Sequence, residues 1–109
     1  MGLTRTDLFS DAQNELALIA KVMGHPARIA ILQHLLKTRA CVNGDLVKEL
    51  GLAQATISQH LRELKSIDII QGTIEGTSVC YCINPATWTK INKLFGELFA
   101  SYTTNDQCC

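Results

Sequence analysis

The stretch Asp45 to Leu64, DLVKELGLAQATISQHLREL, sets two short amphipathic helical patterns on either side of Gly51-Leu52-Ala53. In the first, Leu46, Val47 and Leu50 share one face; in the second, Ile57, Leu61 and Leu64 recur at i, i+4 and i+7. Both faces can bury against one core, which is the sequence form of a helix-turn-helix. The opposite side of the second pattern carries Ala55, Ser58, Gln59 and Arg62, with Gln54 and Thr56 flanking its start. Short hydrogen-bonding groups and one fork-shaped cation suit base edges and phosphates in a major groove. The competing reading is an ordinary solvated helix face.

Outward from this stretch the patterns change twice. From Thr6 to about Val22, Phe9, Ala12, Leu16, Ile19 and Ala20 recur at helical spacing, and Gly24-His25-Pro26 ends that helix. Pro26 suits the first turn of a second helix with the stripe Ile29, Leu32, Leu35 and Leu36, ending near Thr38. An extended connector over Arg39 to Val42 then leads to Asn43, a good N-cap for the third helix, whereas Ala53 stands before the fourth helix and cannot cap it. After Ser66 the residues become β-branched: Ile67 to Ile74, then Glu75-Gly76-Thr77-Ser78, then Val79 to Ile83, which predicts a hairpin or wing. Asn84-Pro85 caps and opens a last helix, with Trp88, Ile91, Phe95, Leu98, Phe99 and Tyr102 along one side.

The expected architecture is therefore mainly α with a β-hairpin wing, a winged helix-turn-helix over residues 1–109 as one domain, with a disordered tail from about Thr103 to Cys109. A domain of this size supplies little core, so the apolar stripes of the terminal helices predict a symmetric homodimer through Phe9, Leu16, Trp88, Ile91, Phe95, Leu98, Phe99 and Tyr102. Packing of both stripes on their own domain is the alternative. No apolar run approaches the roughly 20 residues of a membrane span, and no basic-then-apolar leader opens the chain, so a cytoplasmic protein without a membrane partner is expected. Ten Lys and Arg balance ten Asp and Glu. DNA affinity must then come from local placement of charge rather than from its total.

The residues GHPARIAIL, then GDLVKELGLAQATISQHLRELKSIDII, then the Gly76 hairpin resemble the arsenic-repressor (ArsR/SmtB) family of small winged-helix regulators over roughly residues 8 to 102. The resemblance rests most on His25-Pro26 with Arg28 and Leu32, and on the pattern from Leu50 to Leu61. It implies a homodimeric repressor that sits on its own operator and leaves when an effector binds, with Gln54, Ala55, Ser58, Gln59 and Arg62 at double-stranded DNA. Two departures matter. The wing QGTIEGTS has no cation and contains Glu75, and Ala53 replaces the usual Ser or Thr cap. Binding should then lean on the fourth helix and on Lys48, Arg62 and Lys65, with few phosphate contacts and a moderate salt slope.

Five cysteines in a reducing compartment would be free to bind metal or sense oxidation rather than to form a structural framework. Metal-sensing relatives typically show Cys-Val-Cys-Asp-Leu before the third helix. This chain has Cys41-Val42-Asn43-Gly44-Asp45-Leu46, so only the first thiol matches and the paired site cannot be carried over. Cys80 and Cys82 alternate along one strand and should share a face, either as part of a soft-ion site or as small hydrophobes packed on the fourth helix. Cys108-Cys109 could form a strained vicinal disulfide or chelate a three-coordinate soft ion, completed by Cys41, Cys80 or a partner's thiol, or could be tail residues without a role. A soft metal or metalloid ion, or a thiol oxidant, is thus the effector class the cysteines suggest; no resident cofactor is implied. His60, at the edge of the buried stripe, should hydrogen-bond within the helix-turn-helix core, and His25, which precedes the second helix, should cap or contact the first.

Two rival functions remain at this point. A winged-helix protein-interaction module without DNA binding would fit the zero net charge and the acidic wing. A thiol enzyme would need a low-pKa Cys beside a base or a Cys-x-x-Cys motif, and the sequence has neither, nor a nucleophile-base pair, phosphate-binding loop or carboxylate dyad. The chain reads as a regulator and not as an enzyme.

Overall fold

The computed structural model describes residues 6–38, 45–75 and 78–104. A single 3-10 turn at Thr6–Leu8 precedes α1 (Asp11–Met23), α2 (Pro26–Thr38), α3 (Asp45–Leu50), α4 (Gln54–Ser66), strands β1 (Ile70–Glu75) and β2 (Ser78–Ile83), and α5 (Pro85–Ala100). This is the winged helix-turn-helix order. No helix among the described residues is long and apolar enough to cross a membrane.

Local chemistry sets the boundaries. The sequence pattern suggests one helix from Thr6, but the chain breaks at Ser10, which sits in extended backbone and caps α1. Its hydroxyl accepts from the Gln13 N–H at 3.1 Å, while Gln13 Oε1 accepts from the Ser10 N–H at 2.9 Å. This reciprocal pair satisfies two orphan donors at once, so a cap prevails over a continuous apolar period. Gly24 ends α1 where an added Cβ would lie 3.0 Å from the Ala20 carbonyl oxygen. Gly51 makes the turn between α3 and α4 at φ +67°, a conformation open to glycine without steric cost. Asn84 caps α5 through the Thr87 N–H, with Pro85 at the first helical position.

Two further sequence expectations are corrected. Ile67 to Ile69 is not strand: Asp68 takes φ 61°, and its N–H bonds the Lys65 carbonyl, so the chain turns off α4 before β1 begins. The second concerns α2, which buries Ile31, Leu32 and Leu35 and leaves Ile29 and Leu36 exposed. Apolar residues lie almost all round this helix, so period alone could not choose its buried face. The expected connector over 39–42, the Asn43 cap, the hairpin turn at 76–77 and the tail from 105 lie outside the described residues.

The core joins α1 (Ile19, Val22), α2 (Ile31, Leu32, Leu35), α3 (Leu46), α4 (Ile57, Leu61, Leu64), the approach to the hairpin (Ile69, Ile70) and α5 (Ile91). β1 and β2 pair antiparallel from Ile70↔Ile83 to Glu75↔Ser78. The Asn84 N–H donates to the Ile69 carbonyl at 3.0 Å, closing the base of the hairpin just before α5 starts. The hairpin is thereby fixed beside the end of α4.

Candidate nucleic-acid interface

The two faces of α4 have opposite fates. Ile57, Leu61 and Leu64 are buried against the other helices, while Gln54, Ala55, Thr56, Gln59, Arg62 and Lys65 are exposed and Ser58 is half-buried. Lys48, on α3, is exposed as well. The α4 residues expected at DNA are thus spread around the side of the helix away from the core, exposed except for half-buried Ser58, with the buried Ile57, Leu61 and Leu64 anchoring the helix from behind. This surface is partly pre-ordered. Gln54 Nε2 donates to Ser58 Oγ at 3.3 Å, and Arg62 Nη2 donates to Gln59 Oε1 at 3.0 Å. The remaining N–H groups of Arg62 and Gln59 are left pointing at solvent for base edges or phosphates.

No side-chain cap is present at Ala53, although its backbone (φ −64°, ψ 149°) has the geometry that a capping Ser or Asp would need. The amides of the first turn of α4 therefore face outward without an internal acceptor, a position where a phosphate oxygen is a suitable partner.

His60 is the one polar side chain in the buried face, 8 % exposed. Its Nδ1 accepts from Arg28 Nε at 3.2 Å, and Arg28 Nη1 also donates to the Val22 carbonyl at 2.9 Å. The His25 ring lies against His60 with centroids 4.5 Å apart, and His25 Nδ1 accepts from the Ala27 N–H at 3.0 Å at the start of α2. Desolvation holds the His60 pKa below its ordinary value of 6.5, with the nearby His25 and Arg28 acting in the same direction and Glu63 opposing them. His60 thus takes the bonding place expected of it, and His25 contacts the end of α1, its N–H donating to the Met23 carbonyl at 2.8 Å, while its ring caps α2. The role of Arg28 is not legible in the sequence, because His60 lies 32 positions from it.

The cysteines divide. Cys80 is disulfide-bonded and buried on β2, a finding at odds with a chain whose thiols all stand free. Cys82 is a free, half-buried thiol whose Sγ accepts from Gln71 Nε2 at 3.8 Å. It lines an open cavity of about 290 Å³ with Leu35, Leu36 and Ile83, so this part of β2 packs beside α2, not on α4. Among the described residues no group of three or more His, Cys, Asp or Glu could hold a metal ion. Cys41, Cys108 and Cys109 lie outside them.

The terminal stripes also divide. Ile91 is spent in the chain's own core, and Trp88 and Phe95 pack against it; Leu16 is half-buried. Phe9, Leu98, Phe99 and Tyr102 are exposed, together with Leu8 and Leu18, and Phe99 is 71 % exposed.

Comparison with known proteins agrees with this geometry. Residues 25–71, which run from His25 through α4 into β1, match the family described as bacterial regulatory protein, arsR family. The chain is 30 % identical to the transcriptional repressor PagR of Bacillus anthracis over 75 % of its own length and 82 % of the relative's. It is 33 % identical to the biofilm growth-associated repressor of Xylella fastidiosa over 96 % of its own length and 88 % of the relative's. The crystal structure of the transcriptional repressor BigR from Xylella fastidiosa superposes with a TM-score of 0.63 at 25 % identity, covering 93 % of this chain and 99 % of that one. The chain belongs to the ArsR family of bacterial regulatory proteins, and it is a DNA-binding transcriptional regulator, not an enzyme.

Proposed function

We propose that the protein is a homodimeric repressor in the cytoplasm that binds a palindromic operator by inserting α4 into the major groove, and that a thiol-directed effector releases it. The observation that carries this reading is the solvent-facing set Gln54, Ala55, Thr56, Gln59, Arg62 and Lys65, with Ser58 half-buried among them, backed by the buried Ile57, Leu61 and Leu64. Lys48, exposed on α3, would add a phosphate contact beside those of Arg62 and Lys65. Two copies of α4, each held by its own core, would read two half-sites about one DNA turn apart.

The exposed Phe9, Leu98, Phe99 and Tyr102 support dimerisation, since a stripe of large apolar groups along the terminal helices is costly to leave in water. Trp88, Ile91 and Phe95 would act from behind, holding α5 at the angle that presents this stripe, and half-buried Leu16 would flank it on α1.

The cysteines support the effector class. The disulfide at Cys80 supports a thiol oxidant as the effector; a soft metal or metalloid ion would require the reduced chain, with ligands drawn from Cys41, Cys80, Cys82, Cys108 and Cys109. The test is fluorescence anisotropy of the reduced protein on duplex DNA from its own upstream region, alone and with arsenite, cadmium, zinc or a disulfide-forming oxidant. Tight binding released by oxidant supports an oxidant-released repressor; release by a soft ion alone moves the effector to a metal. Absence of binding would favour the protein-interaction alternative.

A further inference from the structure

Arg28 reaches two helices other than its own: Nη1 holds the carbonyl of Val22 on α1, and Nε holds Nδ1 of His60 on α4. This is the polar crossing in an otherwise apolar interface between α4 and the helices behind it. Apolar packing fixes the depth of a helix well, but it resists sliding or rotation less sharply than a directional hydrogen bond. The Val22 bond anchors one arm of the guanidinium, so the other arm meets His60 from a fixed point. His60 neighbours Gln59 in sequence and lies two residues before Arg62, so the position of its backbone sets where both of those side chains stand. The imidazole ring is further confined by His25.

The proton count of His60 enters directly. Arg28 Nε–H is a donor and nothing else, so Nδ1 must carry a lone pair, and neutral His60 keeps its proton on Nε2. A second proton at Nδ1 would replace an acceptor by a donor facing a guanidinium. The charged and titratable groups acting on the ring are His25 and Arg28 from the α2 side, which disfavour that second proton, and Glu63 on α4 itself, which favours it.

We propose that Arg28 and His60 are positioning residues that lock α4 against α1 and α2, and that the lock holds only while His60 is neutral. Its consequence for operator affinity rests on the reading of α4 as the DNA-binding helix. Acidification then releases α4 from its set position and lowers operator affinity, opposite in sign to the general gain a cationic histidine would give on DNA.

The test uses the full, reduced chain and two variants. In His60→Asn the side-chain oxygen stands close to where Nδ1 stood and does not titrate. Arg28→Lys keeps the charge but not the two-armed geometry. NMR amide resonances of α4 from Gln54 to Ser66 are followed between about pH 5 and pH 8, the range in which histidine titrates. Anisotropy on duplex DNA from the upstream region is recorded over the same range. In the wild type the α4 amides should move with the His60 titration and affinity should fall roughly tenfold, the fold-change of one hydrogen bond. Both responses should be absent in His60→Asn. Arg28→Lys should bind with the acid-form affinity at every pH, which keeps the test open should the Asn variant fail to fold. Amides of α4 that ignore the titration, or a wild-type pH profile in either variant, would overturn the proposal. Amides that follow His60 in a protein that binds DNA at no pH would uphold the lock and sink the DNA reading instead.

Discussion

On the exposed face of α4, Arg62 Nη2 donates to Gln59 Oε1 across 3.0 Å, opposite the buried Ile57, Leu61 and Leu64. The bond joins the helix's only arginine to an amide one turn earlier, and it fixes Gln59 with its N–H groups outward. Arg62→Ala or Gln59→Ala should weaken operator binding by about 1 to 3 kcal/mol with the fold intact, measured by anisotropy beside thermal melting. The two losses should add to less than their sum, because each single change already breaks the shared bond. Unchanged affinity in both variants would remove α4 from the interface.

Ala53 occupies an N-cap position with suitable backbone and no capping oxygen. Ala53→Ser should stabilise the protein by about 1 kcal/mol, raising the midpoint by roughly 4–8 °C for a domain of this size. A melting curve unmoved by the substitution would mean that the first-turn amides are already satisfied.

His60 predicts an acid-sensitive fold. Its pKa is lower in the folded protein than the ordinary 6.5, so between the two values the unfolded chain binds more protons than the folded one. The associated stability is fully present above pH 6.5 and is lost as pH falls through the folded value. Urea midpoints should therefore drop more between pH 7.5 and 5.5 in the wild type than in His60→Asn. Equal drops would assign the acid sensitivity to other groups.

Phe99, 71 % exposed on α5, touches little of its own domain beyond the stacked ring of Phe95 at 6.2 Å. Phe99→Glu should leave the helix content unchanged and shift the mass seen by light scattering from dimer to monomer, since a carboxylate cannot be buried unpaired between subunits. A variant that stays dimeric would place the interface elsewhere. The surface ion pair Lys90–Glu15, at 2.6 Å between α5 and α1, should by contrast be nearly neutral when removed, because both side chains are largely in water.

What could be read from the sequence and what could not follow from the range of each signal. The α4 faces were legible because a polar and an apolar residue set alternate at helical period within thirteen residues. The start of α5 was legible because Asn84-Pro85 is a local cap. Ser10 was missed because a capping box competes with an apolar period that runs straight through it. The buried side of α2 is not legible in the sequence because Ile29 and Ile31 are chemically alike and only the packing of α4 and β2 chooses between them. Nothing in the sequence announced the Arg28–His60 contact, which spans 32 positions, or the disulfide at Cys80. The terminal stripes carry no sequence mark that separates residues such as Ile91, buried in its own core, from exposed ones such as Phe99.

Hydroxyl-radical footprinting of the reduced protein on its upstream DNA tests the central claim most directly. Two copies of α4 in successive major grooves predict two protected half-sites related by a dyad, centred about 10–10.5 base pairs apart or a multiple of that spacing, and lost together in Arg62→Ala. Protection without a dyad, or a footprint that survives Arg62→Ala, would contradict a dimer reading DNA through α4.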